Sequence, residues 1–328
     1  MNITITDQLA RRLIEAGGEA VSGQQFADEF GISRTAVWKH IRELQSRGYD
    51  IHSVKKKGYI LSGVPDSLKP EVIQPGLDTR YIGRRIDYHE TVVSTQIIAH
   101  QLAQEGAPGG TAVLAESQSA GRGRLARPWD SAFGKGIWMS VILRPDVPPQ
   151  KAPQFTLVTA VAVVRAIEET TGLRPEIKWP NDILLNGRKC TGILTELQAD
   201  MDRIHALIIG IGLNVNQERG DFAEEVQGIA SSLRIGKGEA VSRQDLIRSI
   251  FRHLERYTEL YISQGFTPLK SLWEGYSVTL GKRIRASSPR EVLEGLAMGI
   301  TPDGVLELKT DDGKIHQIYS ADIELASD

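Results

Sequence analysis

Three prolines fall within the twelve residues VPDSLKPEVIQP, positions 64–75, and no other feature constrains this chain as strongly. Proline removes a backbone donor and breaks both helix interiors and inner strands, so the run reads as a connector and a domain boundary is expected there. The total of 328 residues points the same way, because one hydrophobic core ordinarily serves up to about 250 to 300 residues. Two or three domains are expected, assigned as 1–64, 65–272 and 273–328. Hydrophobic residues at 41% and charged residues at 24% exclude a disordered or collagen-like chain.

Formal net charge is −2, from 39 Lys and Arg against 41 Asp and Glu, which argues against indiscriminate polyanion binding by the whole chain. Residues 33–57 depart from that average, with seven basic residues against Glu43 and Asp50, a local charge of +5. Residues 24–43 read as two short helices around a turn. Phe26, Ala27 and Phe30 form an apolar face, Gly31 breaks the chain, and Ser33 can cap the next helix. Val37, Ile41 and Leu44 recur at helical spacing and leave Arg34, Thr35, Trp38, Lys39 and Arg42 on exposed faces, as suits a helix lying in the major groove. A helix at 7–16 would complete a three-helix core. YDIHSVKKKGYILSG follows, two β-prone runs joined at Lys55, Lys56, Lys57 and Gly58. A hairpin after a helix-turn-helix is a winged helix, and Ser33 with these basic, Thr and Trp residues are the DNA-contact candidates. Winged helices also mediate protein contacts, and Trp38 has the alternative of packing against Tyr49 or the preceding helix.

From residue 85 onward, helix-like runs at 95–105 and 155–171 mix with apolar strand-like runs at 112–115, 137–143 and 207–211, the pattern of one α/β domain. An amphipathic stretch at 243–264 precedes short β-prone segments (TLGKRIRA, GLAMGI, GVLELKT, KIHQIY) that read as a small β-barrel. In ESQSAGRGRLARPWDS, Gly121 and Gly123 permit close backbone approach to a ligand, and Arg122, Arg124 and Arg127 suit a phosphate or carboxylate. A solvated basic surface loop is the competing reading. The chain has no GxxxxGK[ST], which excludes a Walker A loop. IKWPNDILLNGRKCTGILTEL holds a Pro-Asn-Asp turn and a hairpin at Asn186 and Gly187 leading to Lys189. IIGIGLNVNQ places Gly210, Gly212, Asn214 and Asn216 along an apolar strand, where a planar base or ureido group could approach closely.

Taken in order, STQ (94–96), QSAGRGRLARPW (118–129), KWPND (178–182), GRKCTGIL (187–194) and GIGLNVN (210–216) resemble biotin protein ligases over essentially the whole chain. With the winged helix, the chain is most similar to the bifunctional bacterial form of Bacillus type, the ligase that is also the biotin operon repressor. The resemblance implies an α/β multidomain protein. Its parts are an N-terminal winged helix-turn-helix, a central α+β catalytic domain resembling class II aminoacyl-tRNA synthetases with a mixed sheet, and a C-terminal SH3-like barrel. It also implies ATP and biotin as substrates, Mg²⁺ with the ATP, a biotin carboxyl carrier protein and operator DNA as partners, and a homodimer when adenylate is bound.

Carried over by motif, Ser94, Thr95, Gln96 and Gln118 match biotin-ring contacts. Arg122, Gly123, Arg124 and Lys189 match groups on the carboxylate and phosphate, with Arg122, Arg124 and Lys189 in the catalytic role. Gly121, Arg127, Trp129, Asn181 and Asn214 match the ATP and adenylate side. Attack of one anion on another calls for positioning and positive charge more than for a protein nucleophile. WPND has the alternative of a plain capped turn, Trp129 that of packing, and Asp182 that of helping to place Mg²⁺. Two departures stand out. Ala126 replaces a glycine common in the family, so a left-handed backbone there would be strained, and Gln96 stands where many relatives have Asn. The rival functions are a biotin-sensing repressor without catalysis and a lipoate ligase.

Cys190, the only cysteine, can form no intrachain disulfide and has no second thiol for a zinc site, which fits a reducing cytoplasm. Beside Lys189 it reads as buried packing. MNITITDQLARRL lacks a signal-peptide core, and the longest apolar run, 157–167, is interrupted by Thr159 and Arg165, so no membrane association is expected.

Overall fold

The computed structural model describes residues 4–289 and 291–325, so the outermost three residues of the expected 1–64 and 273–328 segments, and position 290, lie outside the described residues. Two compact units result: one runs to Asp78 and adds Ser242–Arg248, and the other comprises Thr79–Val241 and the described residues from Ser249 onward.

The first unit contains α1 (Ile5–Glu15), α2 (Gly23–Phe30), α3 (Arg34–Ser46), the hairpin β1 (Asp50–Val54) and β2 (Gly58–Gly63), and α4 (Pro70–Ile73). Thr4, Ser22 and Ser33 cap the three helices, their hydroxyls accepting the backbone N–H of Asp7, Gln25 and Ala36. Gly31, at φ 64°, ends α2 where a side chain would be strained. Leu9, Leu13, Phe26, Val37, Ile41, Leu44, Tyr49 and Ile51 close a single core, each contributing about 1.5–3 kcal/mol where fully buried. The expected connector is packed rather than slack. Pro70 sits in the first turn of α4, where its missing N–H costs nothing. Leu68, Val72 and Ile73 are buried, and the Arg243 guanidinium, 2% exposed, donates to Asp66 Oδ2 at 2.9 Å.

The second unit is built on β3 (Ile86–Val92), α5 (Thr95–Gln104), β4 (Ala112–Gln118), β5 (Gly136–Leu143), α6 (Ala152–Thr171), β6 (Glu176–Lys178), β7 (Asp182–Leu185), β8 (Arg188–Ala199) and β9 (Ile204–Asn214). The strands form one seven-stranded sheet, order β3-β4-β5-β9-β8-β7-β6. It is mixed: β3 and β4 are parallel, joined by the α5 crossover, and the other neighbours are antiparallel. Asn186 and Gly187, at φ 51° and 74°, make the predicted two-residue hairpin between β7 and β8. The helices α7 (Leu233–Lys237), α8 (Arg243–Gln264) and α9 (Thr267–Tyr276) follow; the first residues of α8, through Arg248, group with the first unit. The tail is a five-stranded antiparallel sheet of β10 (Arg283–Ser287), β11 (Val292–Ile300), β12 (Leu306–Lys309), β13 (Ile315–Ile318) and β14 (Asp322–Leu325), order β13-β12-β11-β10-β14. The α/β multidomain class expected from the sequence is the one adopted. Among the described residues, no helix is long and apolar enough to cross a membrane.

Candidate functional site

The predicted ligand contacts of the central domain gather over β4, β5, β8 and β9. Glycines there leave room that a side chain would fill. A Cβ at Gly210 would lie 2.7 Å from Gln96 Oε1, one at Gly212 2.6 Å from Trp129 Nε1, and one at Gly192 3.0 Å from the Trp129 ring. Gln96 and Trp129 therefore rest directly on a backbone floor.

Beside that floor runs a buried chain of hydrogen bonds. Ser94 caps α5 by accepting from the Gln96 N–H, and the Thr95 N–H donates to Gln118 Oε1 at 2.8 Å. The Ser140 hydroxyl donates to Gln96 Oε1 at 2.8 Å. With its one proton so committed, Ser140 accepts from Thr95 Oγ1 at 2.9 Å. Gln96 Nε2 donates to the Ile208 carbonyl at 3.3 Å, and Gln118 Nε2 to Ser131 Oγ at 2.9 Å. Gln96 thus uses its greater length to reach β5 and β9. Ser140 was missed by sequence reasoning, although a lone serine in GIWMSVIL is a buried polar group requiring a partner.

Every arginine of the loop is held by a protein acceptor. Arg122 Nη2 lies 3.5 Å from Glu196 Oε1, and the other Glu196 oxygen is 3.0 Å from His100 Nε2. Gln198 donates its amide N–H to His100 Nδ1 at 2.9 Å, which leaves the His100 proton on Nε2, facing Glu196. Arg124 donates to Asn181 Oδ1 at 3.1 Å and to Ser320 Oγ at 2.7 Å. Burial pulls its guanidinium below the usual arginine value against the opposing pull of Asp322 and Asp182. Arg127 pairs with Asp322. The loop closes on itself through Trp129 N–H to Gly121 O and Gly123 N–H to Arg127 O, both 2.8 Å. Leu125 and Ala126 stand at φ 56° and 55°, so the left-handed backbone that glycine would ease is carried by two residues bearing Cβ atoms.

Lys189 Nζ lies 2.7 Å from Asp182 Oδ1 and 5.2 Å from the centre of the Trp129 ring. Among the described residues the buried Trp129 indole N–H has no hydrogen-bond partner. Asn181 binds the Ile193 carbonyl through Nδ2 at 3.0 Å while receiving Arg124, so it serves the turn and the loop together. Trp179, joined to Pro180 by a cis bond, donates its indole N–H to Gly304 O. Asn214 is buried at the end of β9, with Nδ2 on the Ser231 carbonyl. Cys190 is fully buried and its thiol is pushed up to about 12 by desolvation, consistent with packing. Among the described residues no three His, Cys, Asp or Glu side chains gather as a metal cage, and Asp182 is paired with Lys189.

The DNA candidates lie in the first unit. Ser33, Arg34, Thr35, Trp38, Lys39, Arg42 and the three lysines are all exposed, and Arg34, Thr35 and Trp38 line a cleft of about 640 Å³ with Lys55, Lys56 and Lys57. Trp38 does not pack away: it is 54% exposed, with the Arg42 guanidinium 5.9 Å over its ring. A Cβ at Gly58, φ 117°, would lie 2.2 Å from the Val21 carbonyl, so only glycine allows the wing to root there.

The arginine loop and Lys189 concentrate positive charge beside the glycine floor, as an acid-activating ligase requires, and the winged helix is of a class that binds DNA. Residues 83–214 match the Biotin/lipoate A/B protein ligase family, residues 279–326 the Biotin protein ligase C terminal domain, and residues 6–60 an HTH domain. The chain is 49% identical over 325 residues to the bifunctional ligase/repressor BirA of Bacillus subtilis, covering 99% of this chain and 100% of that one. It is 30% identical over 313 residues to the bifunctional ligase/repressor of Escherichia coli, covering 95% of each. Its fold is similar to the biotin protein ligase of Aquifex aeolicus solved with biotin and ATP, with TM-score 0.65 and 28% identity over 75% of this chain and 100% of that one. The chain belongs to the biotin protein ligase family, in its bifunctional ligase and repressor form.

Proposed function

We propose that the second unit activates biotin and transfers it. The biotin carboxylate attacks the α-phosphate of ATP, pyrophosphate leaves, and biotinyl-5'-adenylate forms. A lysine amine of the biotin carboxyl carrier protein of acetyl-CoA carboxylase then attacks the acyl carbon, AMP leaves, and an amide results. Ser94, Thr95, Gln96 and Gln118 hold the biotin rings. Arg122, Gly123, Arg124 and Lys189 take the carboxylate and phosphate charge, and Gly121, Arg127, Trp129, Asn181 and Asn214 serve the nucleotide. Mg²⁺ accompanies ATP, held chiefly by phosphate oxygens and water. The observation that supports this reading is that Arg122, Arg124 and Lys189 are each paired beside β8, the strand that carries Gly192, through Glu196, Asn181 and Asp182.

Residues 1–64 read DNA, 65–272 form the catalytic domain, and 273–328 supply partners to the arginine loop. With biotinyl-5'-adenylate as corepressor the protein dimerises and places two winged helices on a palindromic operator of biotin biosynthesis or transport genes. Incubation with ATP, labelled biotin or labelled lipoate, and a carrier domain tests the enzyme. Biotin label on the carrier is expected. No label from either acid would leave only a sensing repressor, and lipoate label alone would move the activity to lipoate ligation. Operator affinity should rise when biotin and ATP are supplied together; an unchanged affinity would refute the corepressor reading.

A further inference from the structure

The Asn214 carboxamide, 6% exposed at the end of β9, is gripped on both sides. Its Nδ2 donates to the Ser231 carbonyl at 3.2 Å and its Oδ1 accepts from Gln217 Nε2 at 2.9 Å. The grip has a direction. A backbone carbonyl can only accept, so the Asn214 NH₂ must face Ser231, its oxygen must face Gln217, and Gln217 must present its own NH₂. Gln217 is 3% exposed, and its backbone carbonyl takes the Ser232 hydroxyl at 2.6 Å. Its side-chain Oε1 is buried with no hydrogen-bond partner among the described residues. Leaving a buried amide oxygen unsatisfied is unfavourable; the arrangement that imposes it secures one face of Asn214. The segment supplying Ser231 also braces the catalytic lysine's backbone, through Lys189 N–H to Ile229 O at 2.7 Å and Ser231 N–H to Lys189 O at 2.8 Å.

We infer that Gln217 is a positioning residue, setting which face of the Asn214 carboxamide is offered to the nucleotide half of the adenylate. The inference rests on Asn214 being a nucleotide contact, as read above. Gln217→Met keeps the volume and removes the donor, freeing Asn214 to turn. ATP KM should rise about five- to tenfold, the scale of one hydrogen bond, with biotin KM unchanged and kcat within about twofold. Combined with Asn214→Ala, which should itself raise ATP KM, Gln217→Met should add almost nothing, because the two act through one group. An unchanged ATP KM in Gln217→Met beside a raised one in Asn214→Ala would overturn the inference and spare the nucleotide reading. A rise in both KM values with a lowered Tm would show plain packing and also overturn it. An unchanged ATP KM in Asn214→Ala would bring down the nucleotide reading and the inference with it.

Discussion

Lys189 Nζ stands 2.7 Å from Asp182 Oδ1, joining the two strands of one hairpin by an ion pair beneath the Trp129 ring. The carboxylate holds the ammonium in place, and under the proposed role of Lys189 an incoming phosphate competes for the same charge. Lys189→Gln should lower adenylate formation by about 100-fold or more, the usual scale for removing one group that stabilises developing charge. Asp182→Asn should cost less than about tenfold, since the ammonium remains. Pyrophosphate release from ATP and biotin measures both, and a Lys189→Gln protein of normal rate would remove the lysine from the mechanism.

Ala126 carries a left-handed backbone at φ 55° that glycine would adopt freely. The strain is on the order of 1–2 kcal/mol, less what glycine loses through unfolded-state freedom. Ala126→Gly should therefore raise Tm by about 2 °C. Calorimetry decides this, and a lowered Tm would show that the turn is not strained.

On the winged helix, Arg34 and Lys56 face one cleft from α3 and the wing. If each meets a phosphate, Arg34→Ala and Lys56→Ala should weaken operator binding and each lower the slope of log affinity against log salt by about one unit. Adenylate formation should be unaffected. Titrations at several salt concentrations test this, and an unaltered slope in both variants would remove these residues from the DNA contact.

Glu169 predicts an acid limit to stability. Burial works against its charge, but hydrogen bonds from Ser249, His253 and Arg252 outweigh it and hold the carboxyl at about 2, below the ordinary 4.5. A depressed carboxyl contributes stability that is present above about pH 4.5 and lost as pH falls toward 2. The Tm gap between the unsubstituted protein and Glu169→Gln should accordingly close over that window. Burial also holds His253 below its usual 6.5 despite Glu169, so its loss on acidification begins earlier and can be told apart. A gap constant down to pH 2 would contradict the assignment.

The parts of the fold readable in the sequence were those fixed by near neighbours. Ser33 as a cap, Gly31 as a stop, the Asn186–Gly187 turn and the amphipathic run at 243–264 each depend on residues a few positions apart. The site motifs were readable because their glycines and arginines are dense in short segments. What holds them was not. Ser140 meets Gln96 across 44 positions, Arg122 meets Glu196 across 74, and Arg124 meets Ser320 across 196. Such pairs exist only once the sheet is assembled. In the run at 64–75 the three prolines were legible as a connector, but the packing of Leu68, Val72 and Ile73 was not, because Val72 is buried against a first-unit core that exists only on folding.

Gly192, Gly210 and Gly212 also limit how the site can be altered. Glycine is the smallest residue available, so every substitution at these positions pushes against Gln96 or Trp129 and lifts it from the sheet. Any enlargement of this region has to come from Gln96 and Trp129 themselves, the side chains that rest on those glycines.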